Sequence, residues 1–344
     1  MTKKFDVVIG NPPYQDEAVG GATSAPPIYP QFMDAAYEIG SKAVLITPAR
    51  FLFNAGYTTK TWNQKMLDDK HLSVPVYVPN SNTLFPGTDI KGGVAVTYRD
   101  SEQNLGPLGV FTKHEELTSI MRKVTSFGGT SFASLVTKRD AYKYTHKMHE
   151  EHPEASEAMS HSAQHIVIAN AFEKLPFLFT AGKPDSSDKY VRIMGLSGNK
   201  REIRWVRRDF ITGPKSFEHF KVAVAKANGS GNFGEALSTP VVLEPQVATT
   251  QTFLTVGSFE KSEEASACLN YIRTKFARAL LGVLKITQDN PSRVWEHVPA
   301  QDFSSESDID WSKSIPEIDQ QLYKKYNLSA SEMDFIETNV KAMS

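Results

Sequence analysis

One cysteine, Cys268, stands in 344 residues. No intrachain disulfide can form, and the cysteine usage gives no sign of an oxidising compartment. No apolar run approaches the ~20 residues of a membrane-spanning helix. No Cys/His cluster has structural-zinc spacing. His146, His149 and His152 do lie close together, but in a polar, acidic stretch that reads as solvated. The opening Met1-Thr2-Lys3-Lys4 runs straight into an apolar segment, without the build of a signal peptide. The chain therefore reads as cytoplasmic, with no membrane segment and no resident metal. A formal net charge of −1 argues against a protein that coats nucleic acid by charge alone. Internal repeats are also missing.

What is present suits a globular protein with a real core, at 40% hydrophobic and 10% aromatic residues. The length fits two domains, or one with a large extension. Charge is uneven along it. Lys189–Lys226 holds ten Lys and Arg against three Asp and Glu, whereas the stretch from Gln301 onward has nine acids and four bases. A basic patch on a near-neutral chain fits nucleic-acid contacts confined to one face.

The most informative segment is Phe5-Asp6-Val7-Val8-Ile9-Gly10 followed by Asn11-Pro12-Pro13-Tyr14. A short β-branched run stopped by Gly and a double proline predicts a buried strand with an abrupt end. The prolines stiffen the turn and leave its carbonyls free to accept. Asn11 adds an amide oxygen, and Tyr14 adds a flat ring with a polar tip. Two acceptors beside a ring match the needs of an exocyclic amino group on a planar base.

Strand plus N-P-P-Y resembles the catalytic loop of the amino-methyltransferases, above all the DNA adenine-N6 enzymes of restriction–modification systems. Lys42–Leu52, with Thr47-Pro48-Ala49-Arg50, resembles the next strand and its proline turn. Thr83–Val96 resembles the later loop whose aromatic packs on the target base. Arg293–Pro299 and Asp308–Trp311 are similar to the target-recognition part of Eco57I-type methylases. The resemblance implies that Asn11 and the Pro12 carbonyl accept from the two N6 hydrogens, Pro13 shapes the turn, and Tyr14 and Phe85 cover the base's two faces. Such a base must leave the duplex. The resemblance also implies S-adenosylmethionine as cofactor and double-stranded DNA as partner.

In that family the donor site lies on a strand, glycine loop and helix upstream of N-P-P-Y. Only Met1–Lys4 precede the first strand here, whereas a strand–helix–strand unit needs roughly 30 residues. The expectation is a catalytic-loop and target-recognition part that works with an amino-terminal methyltransferase half, or beside a restriction subunit. Gly229-Ser230-Gly231-Asn232-Phe233-Gly234 matches G-x-G-x-x-G, but Thr239-Pro240 follows too soon for the helix that such a loop must open. It reads as a turn. A noncatalytic, sequence-specific DNA-binding module or a decayed methyltransferase is the alternative. A restriction nuclease ranks last, for want of an acidic-acidic-x-Lys pattern on a strand.

The expected fold is α/β: a partial Rossmann-like methyltransferase sheet over residues 1–104, then a mixed α+β target-recognition region over 105–344. Residues 5–10 and 42–47 read as buried parallel strands, and 74–78 and 93–98 as further strands. Helices are predicted over 28–39, with Phe32, Ala35, Ala36 and Ile39 inward, and over 57–69. Residues 15–27 read as a mobile loop. Beyond the boundary, 113–124 is predicted helical, 139–164 a surface excursion, 190–195 and 202–207 a hairpin about Gly198-Asn199, and 262–286 the longest helix. Ser329–Glu332 reads as a capping box. Lys200, Arg201, Arg204, Arg207 and Arg208, around Trp205, are the best DNA-binding candidates.

Overall fold

The computed structural model describes residues 4–16, 26–54, 57–88, 90, 92–186, 189–229, 232–285 and 287–343. The chain is mixed α/β and divides into two compact units, residues 1–122 and 123–344. No helix among the described residues is long and apolar enough to cross a membrane.

The first unit begins with β1 (Phe5–Gly10), α1 (Tyr29–Ile39) and β2 (Gly40–Pro48). β1 and β2 pair in parallel, from Phe5↔Gly40 to Gly10↔Leu45. Parallel strands need a crossover, and α1 supplies it, with Pro30 in its first turn where a missing N–H costs nothing. Next come α2 (Lys60–Leu67), β3 (Leu72–Val78), β4 (Val94–Asp100) and α3 (Glu115–Phe127). The sheet order is β1-β2-β4-β3, with β4 antiparallel to both neighbours.

One face of this sheet is covered. Val8, Ala43, Leu45 and Ala95 share a core with Tyr29, Met33, Ala36 and Tyr37 of α1 and with Met66 and Leu67 of α2. The inward stripe of α1 is thus 29-33-36-37, one position on from the expected one, and Phe32 faces solvent. Trp62 ties the two helices through its indole N–H, which donates to Asp34 Oδ2 at 3.1 Å. Residues 105–111, which the sequence reading places past the boundary, pack on this unit: Leu108 is buried in its core and Gly109 N–H donates to the Leu67 carbonyl at 2.9 Å.

The expectation of a buried first strand is corrected. β1 is the sheet's edge, and Phe5, Val7 and Ile9 are 55%, 49% and 77% exposed. A continuous apolar run signals two coverable faces without showing that both are covered here.

The second unit carries β5 (Lys143–Tyr144), α4 (His146–Glu151), α5 (Glu154–Ala158), α6 (Ala171–Lys174), β6 (Tyr190–Ser197), β7 (Lys200–Arg207), β8 (Ile211–Thr212), β9 (Phe220–Ala225), β10 (Val241–Leu243), β11 (Val247–Thr249) and β12 (Phe253–Phe259). Helices α7 (Ser262–Arg273), α8 (Lys275–Leu284), α9 (Ile315–Lys325) and α10 (Ala330–Asn339) follow. The strands form sheets ordered β10-β9-β12, β11-β6-β7 and β5-β8. Gly198 and Asn199 take φ of 51° and 63°, the two left-handed positions of a tight hairpin turn between β6 and β7.

Residues 139–164 are not a surface excursion: Tyr142, Tyr144, Met148, Ala155 and Met159 are buried in the core around β6. His149 is half-buried rather than solvated, with Nδ1 3.1 Å from Ser156 Oγ and its pKa drawn down by burial. Among the described residues no group of three or more His, Cys, Asp or Glu is placed to hold a metal ion.

The long helix expected over 262–286 is two. Thr274 leaves helical geometry (ψ 148°), and its hydroxyl caps α8 by accepting from Ala277 N–H at 3.1 Å. Ile286 lies outside the described residues. The capping box at Ser329–Glu332 is present. Ser230 and Gly231 of the Gly-rich hexapeptide are outside the described residues, and no helix opens over 235–240.

Candidate active site

β1 stops at Gly10, and Asn11–Tyr14 leaves its carboxyl end as irregular backbone. The Tyr14 carbonyl accepts from Ile28 N–H at 3.2 Å, and Asp16 N–H donates to the Pro26 carbonyl at 3.0 Å. These bonds join residues 14–16 to 26–28 in a neck just before α1. The mobile loop expected between them lies, over 17–25, outside the described residues.

β2 ends one residue beyond its Thr47, and Pro48-Ala49-Arg50 turns the chain beside the first loop. Ala49 N–H donates to the Gly93 carbonyl at 3.0 Å, so the approach to β4 is fixed to the same end. Gly92 and Gly93 both have positive φ, 89° and 79°. A Cβ on Gly93 would stand 2.4 Å from the Val78 carbonyl oxygen, so only glycine fits that crossing.

The three segments meet around a cavity of about 250 Å³. Tyr14, Tyr29, Pro48, Arg50, Thr58 and Thr88 are among its walls. Its volume lies just under the ~300–1,000 Å³ of drug-sized ligand sites and suits a single planar ring system. Its position outside the carboxyl ends of two parallel strands is where open α/β sheets bind ligands.

Asn11 and Pro13 are exposed, and Pro12 and Tyr14 are half-buried; Tyr14 lines the cavity, whereas Asn11, Pro12 and Pro13 are not among its lining residues. Burial pushes the Tyr14 hydroxyl up from its ordinary pKa. The Asn11 side chain beside it pulls the other way, without a hydrogen bond of good geometry between them. Tyr29 is more deeply set: burial pushes its hydroxyl to about 12, opposed by a hydrogen bond with Thr58 and the charge of Arg50. Both phenols are neutral at physiological pH and act as apolar walls with polar tips.

Phe85 does not line this cavity. Ser81 organises its loop, donating to the Thr88 carbonyl and accepting from Ile90 N–H, both at 2.8 Å. That clasp turns Thr88 and Ile90, not Phe85, toward the cavity. Tyr29, Arg50 and Thr58 were given no role from sequence; the available signal was a second strand-then-proline turn, Ile46-Thr47-Pro48, repeating the pattern of the first.

The five basic candidates on the hairpin do not form one free patch. Arg204 pairs with Glu202 at 2.8 Å and lies 4.5 Å over the Phe172 ring, on the side where Ile193 and Val206 are buried. Arg207 is held by Glu151 and Asp209, and Arg208 by Glu218 at 2.8 Å. Arg201 lies 5.3 Å over Phe253, against a different cluster. Lys200, the first residue of β7, and Arg201 are exposed with no ion pair among the described residues. Strand alternation separates neighbours that are adjacent in sequence.

Residues 1–85 match the family described as Eco57I restriction-modification methylase. An "uncharacterized adenine-specific methylase" of Mycoplasma pneumoniae is 32% identical over 94 residues, covering 26% of this chain and 22% of that protein. A solved type IIG restriction endonuclease, BpuSI, aligns over 97% of this chain and 52% of its own, with 11% identity and a TM-score of 0.30. The chain spans about a fifth of the first relative's length and about half of the second's. The matched residues 1–85 hold the Asn11–Tyr14 loop and most of the cavity wall, so the likeness to Eco57I restriction-modification methylases falls on the segment that builds the candidate site.

Proposed function

We propose that this chain is the base-holding and target-recognising part of a site-specific DNA adenine-N6 methyltransferase. The observation that carries the reading is the cavity of about 250 Å³ at the carboxyl ends of β1 and β2, walled by Tyr14 at the end of the Asn11–Tyr14 loop. An adenine swung out of the duplex places its ring against Tyr14. Its amino hydrogens go to the Asn11 side-chain oxygen and the Pro12 carbonyl. Acceptors fixed by two prolines keep those hydrogens directed away from the nitrogen lone pair, which is left exposed for attack. Thr58 and Thr88 supply further hydroxyls at the cavity wall, and Arg50 offers a cation for a flanking phosphate.

The described residues do not fit S-adenosylmethionine. The cavity has room for one ring system, and the Gly-rich hexapeptide is followed by no helix N-terminus to carry a donor. No step is therefore assigned through it within this chain. The exposed apolar edge of β1 supports a reading in which a further α/β segment pairs there and brings the donor site. Parallel sheets are ordinarily covered on both faces, and an unguarded apolar edge is a template for another strand.

The test uses duplex DNA with 2-aminopurine at the target adenine. Fluorescence rising on binding, and falling back in Asn11→Ala, supports the reading. Sequence-preferring binding with no brightening refutes it in favour of a noncatalytic DNA-binding module.

A further inference from the structure

A second cleft, wholly within residues 123–344, is independent of the site above. Its volume is about 400 Å³, and its walls include Lys138, Arg139, Lys226, Asp140, Asp289 and Ser292. Four chain segments build it, residues 137–140, Lys226, Leu254 of β12 and residues 289–292, and backbone hydrogen bonds fix them. Thr137 is locked to Thr255: its N–H donates to the Thr255 carbonyl at 2.8 Å, and its hydroxyl accepts from Thr255 N–H at 2.9 Å. Lys226 N–H donates to the Thr252 carbonyl at 2.8 Å, and its own carbonyl accepts from Asn290 N–H at 2.7 Å. Beneath them Asn290 is fully buried, its amide donating to the Ala225 carbonyl at 2.9 Å and to Asn228 Oδ1 at 2.6 Å.

Arg192, Arg204, Arg207 and Arg208 are each neutralised by a nearby acid, and Arg278 is buried on backbone carbonyls. Lys138, Arg139 and Lys226, like Lys200 and Arg201 on the hairpin, have no ion pair or side-chain hydrogen bond among the described residues, but these three line one cleft. Asp140 and Asp289 share the cleft without pairing with them. Three cations against two carboxylates leave the lining at a net charge of +1. Uncompensated cations on a rigid frame, with the Ser292 hydroxyl beside them, suit an anion with several acceptor oxygens. The carboxylates hold off any anion not aligned with the cations.

We propose that this cleft, and not the β6–β7 hairpin, grips the phosphate backbone of bound DNA through Lys138, Arg139 and Lys226. The inference rests on the reading of the chain as a DNA-binding protein and assigns a site for it. Each phosphate contact contributes about −0.9 to the slope of log affinity against log salt. The test compares the full chain with Lys138→Gln/Arg139→Gln/Lys226→Gln and with Lys200→Gln, by fluorescence anisotropy on duplex DNA across a salt series. Melting curves check that each variant is folded.

The triple variant is expected to lose about two to three units of slope, and Lys200→Gln almost none. Asp140→Asn/Asp289→Asn is expected to tighten binding several-fold, because it removes repulsion from an entering phosphate. A triple variant with the slope of the parent overturns the cleft alone, since extrusion reported by 2-aminopurine would still stand. Unchanged affinity in the double Asn variant also overturns it. A parent chain that binds no duplex at low salt overturns this inference together with the function on which it rests.

Discussion

Gly92 stands against Arg50: a Cβ added to the glycine would lie 2.8 Å from the arginine Cγ, on a backbone with φ of +89°. The contact joins the loop before β4 to the turn after β2, and so fixes a cation at the wall of the base-sized cavity. Gly92→Ala meets two penalties, the left-handed backbone and displacement of the Arg50 stem. The expected cost is about 1–3 kcal/mol of stability, read by urea unfolding. Affinity for target DNA should fall with it, because Arg50 no longer lies where the cavity needs it.

Asn11 tests the chemistry without touching the fold. It is exposed, so Asn11→Ala should change unfolding free energy by no more than about 0.5 kcal/mol. With a donor-binding companion present, tritiated methyl transfer to duplex DNA should drop roughly 10²–10³-fold, the usual effect of removing a preorganised polar contact at the reacting group. Equal transfer by the variant would show that the loop's amide has no part in the reaction.

Local pattern made much of this legible. The N-P-P-Y turn, the Gly198-Asn199 hairpin and the Ser329 capping box each depend on residues within a few positions of one another, and the parallel pairing of the first two strands follows from two short apolar runs with a helical pattern between them. Other placements could not be read in this way. Arg204 and Arg207 look like neighbours in a basic run, but their charges are cancelled by Glu202 on one side and by Glu151, far back in the chain, on the other. Phe85 looks like the second wall of the pocket until the Ser81 clasp turns Thr88 there instead. Lys138, Lys226 and Asp289 share a cleft that no sequence window contains. Tertiary placement decides the Glu151 pairing and the cleft, and spacing along the chain does not report it; the Ser81 clasp is local but has no residue pattern that announces it.

The β1 edge makes a separate prediction. Val7→Asp/Ile9→Lys replaces two exposed apolar side chains, so the chain itself should keep its melting temperature. If a companion segment covers them, burial of each is worth about 1.5–3 kcal/mol, and association with that companion should weaken at least about 100-fold. Analytical ultracentrifugation of the mixed halves reads this directly. Undiminished association would place the companion's contact elsewhere. The same variant should also reduce any concentration-dependent aggregation of the isolated chain, since a charged edge strand resists pairing.

Asp319 supplies the pH signature. The residue is buried, and its two oxygens accept from Phe276 and Lys275 N–H at 2.9 and 3.0 Å, at the first turn of α8. Burial raises its pKa from 3.8 to about 6, outweighing those two bonds and the Arg278 charge; Glu337 adds to the rise. A carboxyl with a raised pKa binds its proton more tightly when folded, so its contribution is fully present below pH 3.8 and is lost as pH rises through about 6. Unfolding free energy should therefore decline between pH 4 and 6 by on the order of 2–3 kcal/mol on this account. His149 and His297, whose pKa values burial lowers, push in the opposite direction over part of that range. The difference between the parent and Asp319→Asn isolates the aspartate: the variant is less stable at low pH, having lost one acceptor for the helix end, but should lack the decline. Parallel pH profiles for the two proteins would show that Asp319 stays ionised throughout, held by the two N–H donors and Arg278 despite its burial.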